Sequence, residues 1–157
     1  MATAYMTNEA GRKEIGEALN KLVADTYVLY MRTHGFHWNV VGPRFVELHK
    51  LFEEQYTELH DAADIIAERT RALGERAPTS FAELLKLATI SEASGTPKTD
   101  EMIRLLAEGN RAAAKSCKNV VDVAEKYDDV GTADLATGRI ELHEKAAWML
   151  ESLLEKA

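Results

Sequence analysis

Apolar residues recur at intervals of three and four along almost the whole chain, which is the pattern of amphipathic α-helices. A first long helix is predicted from about residue 8 to residue 35. Thr7 or Asn8 is expected to cap its start, and Gly35 is expected to end it. A second is predicted from about residue 44 to residue 73. The residues expected to face the core are Ile15, Leu19, Leu22, Thr26, Leu29 and Thr33 in the first helix, and Phe45, Leu48, Phe52, Leu59, Ile66 and Leu73 in the second.

Residues 74–98 break this pattern and contain two of the three prolines of the chain. Within this stretch, Ser80-Phe81-Ala82-Glu83 has the form of a capping box and predicts a short helix that ends near Ala88. A third long helix is predicted from about residue 99 to residue 127, and a fourth follows with Thr132 as its cap. The residues expected to face the core are Met102, Leu106, Ala113, Cys117, Val120 and Ala124 in the third, and Leu135, Leu142, Ala146, Met149 and Leu153 in the fourth.

Four long helices joined by two short links and one long crossover describe an all-α, ferritin-like four-helix bundle, with a short extra helix in the crossover. The length of the crossover favours a parallel arrangement of the second and third long helices. The short helix is then expected to lie outside the four-helix core. A chain of 157 residues suits one domain, residues 1–157, with a short N-terminal tail of about residues 1–7.

The amino-acid composition limits the kinds of protein that this chain is expected to be. The chain is 46% hydrophobic and 29% charged, as is usual for soluble globular proteins, and it lacks a run of about 18 apolar residues or a secretory signal pattern. Its single cysteine, Cys117, excludes an internal disulfide, fits a reducing cytoplasm and is expected to be an inert core thiol. The net charge of −7 argues against broad binding to a phosphate backbone and fits a surface or cavity that gathers cations.

Side chains that bind metals form a ladder along the second helix. His49 and Glu53 are four residues apart, as are Asp64 and Glu68, and His37 precedes both pairs. Residues at this spacing share a helix face, so each pair can reach a single ion. Glu53 and Asp64 are separated by about 16 Å along the helix, whereas a ligand atom lies about 2 Å from its metal, so the two pairs cannot share one ion within a subunit.

The two pairs nevertheless point the same way, because eleven residues make about three whole helical turns. An antiparallel two-fold dimer would place His49 and Glu53 of one subunit opposite Asp64 and Glu68 of the other, which forms two identical sites. Carboxylates at this spacing are also common on solvated helix faces. Such faces normally include Lys or Arg, but between His49 and Glu68 this face offers only Tyr56, Thr57 and His60.

Imidazole and carboxylate ligands together suit iron, manganese or zinc. A di-iron centre inside the bundle would require Glu-x-x-His motifs, and none of the five histidines follows a glutamate at that spacing. The pattern therefore favours a metal site between subunits.

A longer set of residues resembles the signature of the Dps family, the mini-ferritins, and the resemblance covers about residues 15 to 154. These residues are His37-Trp38-Asn39-Val40, Gly42-Pro43, Phe45, His49, Phe52-Glu53, Asp64-x-x-Ala67-Glu68-Arg69, Leu73-Gly74, Thr132-Ala133-Asp134-Leu135, Lys145 and Trp148. The resemblance implies a hollow dodecameric shell with ferroxidase activity. In such a shell Fe(II) is oxidised at di-iron sites across two-fold interfaces, preferentially by hydrogen peroxide, and ferric mineral is stored in the cavity.

The resemblance assigns metal binding and catalysis to His37, His49 and Glu53 of one subunit and to Asp64 and Glu68 of its partner. Many members of the family have Asp at the position of Glu53. The extra methylene keeps the carboxylate, and a changed iron affinity or metal preference remains open, including zinc or manganese at the same site.

Several other residues have expected roles, and for some of them two roles are considered. Asp129 and Asp134 resemble carboxylates that line iron-entry pores at three-fold axes, although Asp134 also suits the positive end of the fourth helix. Trp38 either intercepts stray radicals or fills space between the first two helices. His60 is expected to approach its own copy across the two-fold axis, as a packed interface residue or as an auxiliary metal ligand. His34 could support His37, and His143 is expected to be structural.

DNA binding is expected to be weak or absent. The tail before the first helix has no lysine, and only Lys156 lies beyond the packed face of the fourth helix. The net charge of −7 opposes DNA binding as well. The alternatives to an iron-oxidising store are a DNA-compacting, nucleoid-associated shell and a buffer for a metal other than iron.

Overall fold

The computed structural model describes residues 5–155, which form five α-helices and no strand, as the sequence predicted for an all-α chain. Residues 1–4 of the predicted tail and Lys156 lie outside the described residues. None of the helices in residues 5–155 is long and apolar enough to cross a membrane. The helices are α1, Glu9–Asn39; α2, Phe45–Ala72; α3, Phe81–Leu87; α4, Thr99–Lys126; and α5, Val130–Ser152.

The four long helices form a bundle in which α1 packs against α2 and α4, and α5 packs against α4, while the short α3 packs against α1. Lys126 Nζ, at the end of α4, lies 2.9 Å from Glu14 Oε2 near the start of α1, so these helices are antiparallel. Arg69, near the end of α2, lies 2.8 Å from Asp129, just after α4. Helices α2 and α4 therefore run parallel, as the crossover length predicted.

The start of α1 was predicted correctly, but its end was not. Asn8 caps the helix, since its side-chain oxygen accepts a hydrogen bond of 2.8 Å from the Gly11 amide. The helix then continues one turn past Gly35 to Asn39, so the predicted end is wrong. A glycine inside a helix costs only about 1 kcal/mol relative to alanine, and burial of Phe36 in the added turn offsets that cost.

The predicted capping box at α3 is confirmed, because Ser80 Oγ accepts a hydrogen bond of 3.1 Å from the Glu83 amide. Helix α5 begins two residues before its predicted cap, Thr132, so that prediction is wrong. Asp129 is the N-cap instead, and its Oδ1 accepts a hydrogen bond of 3.0 Å from the Thr132 amide. A carboxylate in this position caps a helix as well as a hydroxyl does.

The core-facing residues predicted for α1 and α4 are all buried. The prediction for α2 holds except at Phe45, which is exposed. The prediction for α5 is wrong, because Leu142 and Met149 are 46% and 37% exposed. Helix α5 carries apolar side chains on two faces, and the face turned inward includes polar residues that pair with each other. The buried residues of α5 are Thr132, Ala136, Arg139, His143, Ala147 and Leu150.

Candidate metal centre

Two histidines from different helices form a stacked pair. His37, in the last turn of α1, and His49, in the second turn of α2, have ring centroids 3.7 Å apart and ring planes within 15°. The Nδ1 atom of His37 donates to the His49 carbonyl oxygen at 2.7 Å, and His49 Nδ1 donates to the His37 carbonyl oxygen at 2.9 Å. Because a carbonyl oxygen only accepts, each Nδ1 carries a proton, and in the neutral ring Nε2 is then the atom with a lone pair for a metal ion.

The ends of the two helices explain why this pair forms. The His37 carbonyl is one of the last four of α1, which have no partner within the helix, and the His49 ring supplies one. A short loop returns the chain so that α2 begins at Phe45. The centroid of the Phe45 ring lies 5.0 Å from that of the His49 ring, with the planes 28° apart, so Phe45 packs on His49 rather than in the core.

The three predicted carboxylate ligands Glu53, Asp64 and Glu68 lie exposed along α2. Among residues 5–155, no three His, Cys, Asp or Glu side chains are grouped closely enough to hold a metal ion. One subunit therefore brings His37 and His49 together but does not group Glu53 with them. Asp64 and Glu68 remain a separate pair, one turn apart on the same helix.

Aromatic side chains extend the histidine pair along the groove between α1 and α2. The Tyr56 ring meets the His37 ring edge-on at 5.1 Å, and its face stacks on His34 at 3.8 Å. The Tyr30 hydroxyl is hydrogen-bonded to His34 Nδ1 at 2.9 Å. Burial, together with the neighbouring His37 and His60, lowers the pKa of His34.

Trp38 and His60 lie at the exposed side of this groove. The Trp38 ring centroid is 4.0 Å from that of His34, yet Trp38 is 58% exposed, so it does not fill space between α1 and α2. The His60 ring lies 5.3 Å from the Tyr30 ring and is exposed in the single subunit. The relation of His60 to its own copy stays a prediction.

The centre of the bundle holds a polar network that the sequence did not indicate. Arg139 pairs with Glu58 across the α2–α5 gap and donates to His143 Nε2 at 3.1 Å. His143 Nδ1 donates to Asn110 Oδ1 at 2.9 Å. Burial and the charge of Arg139 lower the pKa of His143 to about 3, so the ring is neutral and its role is structural, as predicted.

The i, i+4 spacing of Arg139 and His143 was visible in the sequence, but nothing in it showed that both face inward. Cys117, the predicted core thiol, is buried near this network. Burial raises the pKa of its thiol to about 12, which keeps it protonated and inert.

The two candidate pore carboxylates have different environments. Asp129 is buried, caps α5 and accepts a hydrogen bond of 2.8 Å from Arg69, so its carboxylate is used inside the subunit. Asp134, in the second turn of α5, is exposed. A pore role therefore remains a prediction for Asp134, and the environment of Asp129 does not favour one.

Comparison with known proteins identifies relatives along nearly the whole chain. A family model described as Ferritin-like domain matches residues 16–157. The DNA protection during starvation protein of Brevibacillus brevis is 40% identical over 137 residues, 87% of this chain and 92% of the relative. DNA protection during starvation protein 2 of Bacillus anthracis is 38% identical over 144 residues, 92% of this chain and 99% of the relative.

A solved structure agrees with these relatives. The Dps protein of Vibrio cholerae O1, described as a member of a broad superfamily of ferritin-like diiron-carboxylate proteins, superposes with a TM-score of 0.90. It is 34% identical, and the superposition covers 98% of this chain and all of that one.

Proposed function

Because the chain belongs to the Dps family of ferritin-like proteins, we propose that it is a mini-ferritin that oxidises Fe(II) and stores the ferric product. The oxidation takes place at di-iron sites shared between two subunits, with hydrogen peroxide as the preferred oxidant. The description of the Vibrio cholerae relative as a ferritin-like diiron-carboxylate protein supports iron as the metal.

The observation that carries this proposal is the fixed orientation of the His37 and His49 rings. Both rings donate through Nδ1 to the main chain, which directs both Nε2 atoms outward as the ligand atoms. Asp64 is about 16 Å from Glu53 along α2, too far to serve the same ion from the same subunit. An antiparallel partner supplies Asp64 and Glu68 to the two histidines, and rotation of the Glu53 side chain completes a set that suits Fe(II), manganese or zinc.

The parallel rings favour two ions over one. A metal ion is bound in the plane of the imidazole that ligates it, and here the two ring centroids are 3.7 Å apart with the planes 15° from parallel. Stacked rings direct their Nε2 lone pairs side by side rather than towards one point, so each histidine serves its own iron.

Apolar side chains surround the groove beside the predicted ligands. Phe81 and Leu85 on α3 and Met31 on α1 are exposed in the subunit, Phe81 by 78%. Exposed apolar patches of this kind mark interfaces. A second copy that covers this face would also deliver the missing carboxylates. The outward apolar side chains of α5, including Leu142 and Trp148, are then available for further contacts in a dodecamer.

In the proposed reaction, two Fe(II) ions reduce one molecule of hydrogen peroxide. Two Fe(II) ions give one electron each to hydrogen peroxide, which takes up two protons and leaves as two water molecules. Paired oxidation prevents one-electron reduction of peroxide, which would release hydroxyl radical. In this proposal, Trp38 intercepts a radical that escapes. Asp134 attracts incoming Fe(II) at a pore of the assembly.

DNA binding is weak or absent in this proposal, because each subunit carries a net charge of −7. Binding to a phosphate backbone depends on lysine and arginine that replace counterions, and an acidic shell repels DNA at physiological salt. A gel-shift titration at physiological salt is expected to show no complex.

The decisive experiment is complementation between two inactive variants. His49→Ala removes a histidine ligand, and Asp64→Ala removes a carboxylate from the opposite half of the site. Each variant alone is expected to lose peroxide-driven oxidation of anaerobically loaded Fe(II). Mixed assemblies, made by co-expressing subunits with two different tags, are expected to regain activity at about a quarter of the sites. In each active site, the Asp64→Ala subunit supplies an intact His49 and the His49→Ala subunit supplies an intact Asp64.

A site built within one subunit would show no recovery in the mixed assemblies. Equal oxidation rates in wild type and both single variants would place the chemistry elsewhere. Zinc binding by the same residues, measured by calorimetry, would then make a metal buffer the better description.

A further inference from the structure

His60 is the one histidine of the five whose ring makes no hydrogen bond within residues 5–155. The other four rings are each hydrogen-bonded to the protein, namely those of His34, His37, His49 and His143. The Nδ1 atom of His60 lies 4.0 Å from Asp61 Oδ1, which is too long for a hydrogen bond. Both ring nitrogens of His60 are therefore open to a partner from outside the subunit.

The His60 ring lies on the face that a second copy is proposed to cover. It is one wall of a cavity of about 620 Å³ between α1, α2 and α3, together with Tyr30, Met31, Phe81 and Leu85. Coverage of this face would place the polar ring nitrogens among apolar and aromatic side chains. Burial of a polar group in such surroundings costs free energy unless the group gains a partner.

Helical geometry places His60 on the same face of α2 as the predicted ligands. It comes seven residues after Glu53 and four before Asp64, and seven residues make about two whole turns. In the proposed antiparallel pairing, His49 of one copy lies opposite Glu68 of the other. The two-fold axis then passes α2 midway between these two residues, and His60 is only about 2 Å along the helix from that level.

Two copies of His60 at this level are close enough to share one ion. Packed helices have axes about 8–10 Å apart, so side chains from both helices meet in the space between them. The two copies are offset by about 4.5 Å along the helices. Two imidazole nitrogens on one zinc ion lie at most about 4 Å apart, since each Zn–N bond is about 2.0–2.1 Å long. Rotation of the two side chains makes up the difference.

We propose that the two copies of His60 bind one divalent transition-metal ion on the two-fold axis, of the class that imidazole ligands prefer and for which zinc is the probe. The proposal rests on the antiparallel dimer of the proposed function. One nitrogen of each His60 ring gains its partner in the ion, and water completes the coordination. Each iron site is centred about 11 Å from the axis along α2, so this ion is a separate one.

The donor set also separates this ion from iron. The iron sites combine imidazole with carboxylates, whereas the axial site has two neutral imidazoles as its protein ligands. Imidazole suits zinc, copper and nickel, and a given site of this kind binds zinc more tightly than Fe(II). The consequence is linkage between metal binding and assembly, because an ion that only the paired subunits can hold stabilises the pair.

The stoichiometry of zinc binding tests the shared site. The assembled protein carries His49→Ala and Asp64→Ala, which remove ligands from both halves of the predicted iron site, and it is freed of metal with a chelator. Equilibrium dialysis against micromolar zinc is expected to give one His60-dependent zinc ion per two subunits. X-ray absorption at the zinc edge is expected to show two imidazole ligands at about 2.0–2.1 Å.

Two substitutions in this background identify the ligand. His60→Gln removes the imidazole from an exposed position and is expected to abolish the half-stoichiometric zinc. The matched control is Asp61→Asn, because Asp61 is the adjacent exposed residue but lines the groove between α2 and α5 instead. This control is expected to keep the zinc. Circular dichroism checks that both variants keep their helix content.

A second measurement follows assembly instead of binding. Urea dissociates the assembly, and light scattering records the midpoint with and without saturating zinc. Zinc is expected to raise the midpoint in the background protein and in Asp61→Asn but not in His60→Gln. A zinc ion bound by one subunit alone would leave the midpoint unchanged.

The results distinguish failure of this site from failure of the proposed function. Equal zinc binding in His60→Gln and the background protein would overturn the axial site, as would a His60-dependent stoichiometry of one ion per subunit. Loss of the axial zinc would leave the complementation of His49→Ala by Asp64→Ala unaffected. If that complementation fails while the half-stoichiometric zinc remains, the dimer stands and the shared iron site does not.

Discussion

The imidazole rings of His37 and His49 lie parallel at 3.7 Å, and each ring donates a hydrogen bond to the main chain of the other residue. This reciprocal arrangement gives each ring a structural role and a ligand role. Nδ1 connects the end of α1 to α2, and Nε2 is available to a metal ion. The two roles can be separated by substitution.

His49→Asn keeps an amide N–H near the position of Nδ1 but has no atom in place of Nε2. We expect it to lose metal binding while it keeps most of its stability. His49→Ala loses both roles, and its free energy of unfolding is expected to be about 1 kcal/mol lower than that of His49→Asn. Cobalt(II) absorbance measures binding, and urea unfolding measures stability. Wild-type cobalt affinity in His49→Asn would contradict the assignment of Nε2 as the ligand atom.

Arg139 is a buried charge whose ion-pair partner is Glu58. Its side chain is 8% exposed and pairs with that of Glu58, which is 43% exposed. Glu58→Gln removes the negative charge and leaves a buried guanidinium. The expected loss of stability is about 2 kcal/mol, below the cost of breaking a fully buried pair because Glu58 reaches solvent.

The matched control for this prediction is Asp122→Asn, which breaks the exposed pair between Lys118 and Asp122 on α4. An exposed pair of this kind is expected to change stability by less than about 1 kcal/mol. Both variants are compared by urea unfolding under the same conditions. Equal losses in the two variants would show that burial does not strengthen the pair at Arg139.

The presence of the helices could be predicted from sequence because apolar spacing acts locally, although Gly35 gave the wrong end for α1 and Thr132 the wrong cap for α5. The inward face of α5 could not be predicted. Leu142 and Met149 follow helical spacing as well as any buried stripe, yet they face outward. Arg139 faces inward because it pairs with Glu58 on α2, and His143 because it bonds to Asn110 on α4. This arrangement is a property of three helices and not of one.

Likewise, only part of the candidate site could be predicted from the sequence. The i, i+4 pairs on α2 could be read directly, because they depend only on helical geometry. The stacking of His37 on His49 depends on how α1 ends and how the loop returns, and helical spacing does not determine either. Tyr30 and His34 also have i, i+4 spacing on α1, so their hydrogen bond could have been predicted.

The neutral state of His143 makes stability depend on pH. Its pKa is about 3 in the folded protein and near 6.5 in an unfolded chain, so between these values only the unfolded chain binds the proton. Stability from this residue is complete above pH 6.5 and is lost as pH falls towards 3, at up to about 1.4 kcal/mol per unit. His143→Gln cannot titrate and is expected to reduce the slope between pH 6.5 and 5 by about one proton. An unchanged slope would mean that His143 is protonated in the folded state.

The outward apolar face of α5 is expected to be covered in the assembled protein. Leu142→Lys places a charge on that face, where burial would desolvate it. Glu141→Lys adds a lysine to a neighbouring exposed position of the same helix and serves as the control. We expect Leu142→Lys to keep its helix content but to form smaller assemblies by light scattering, and Glu141→Lys to assemble as the wild type does. Full assembly of Leu142→Lys would show that this face remains in solvent, and the apolar side chains of α5 would then require another explanation.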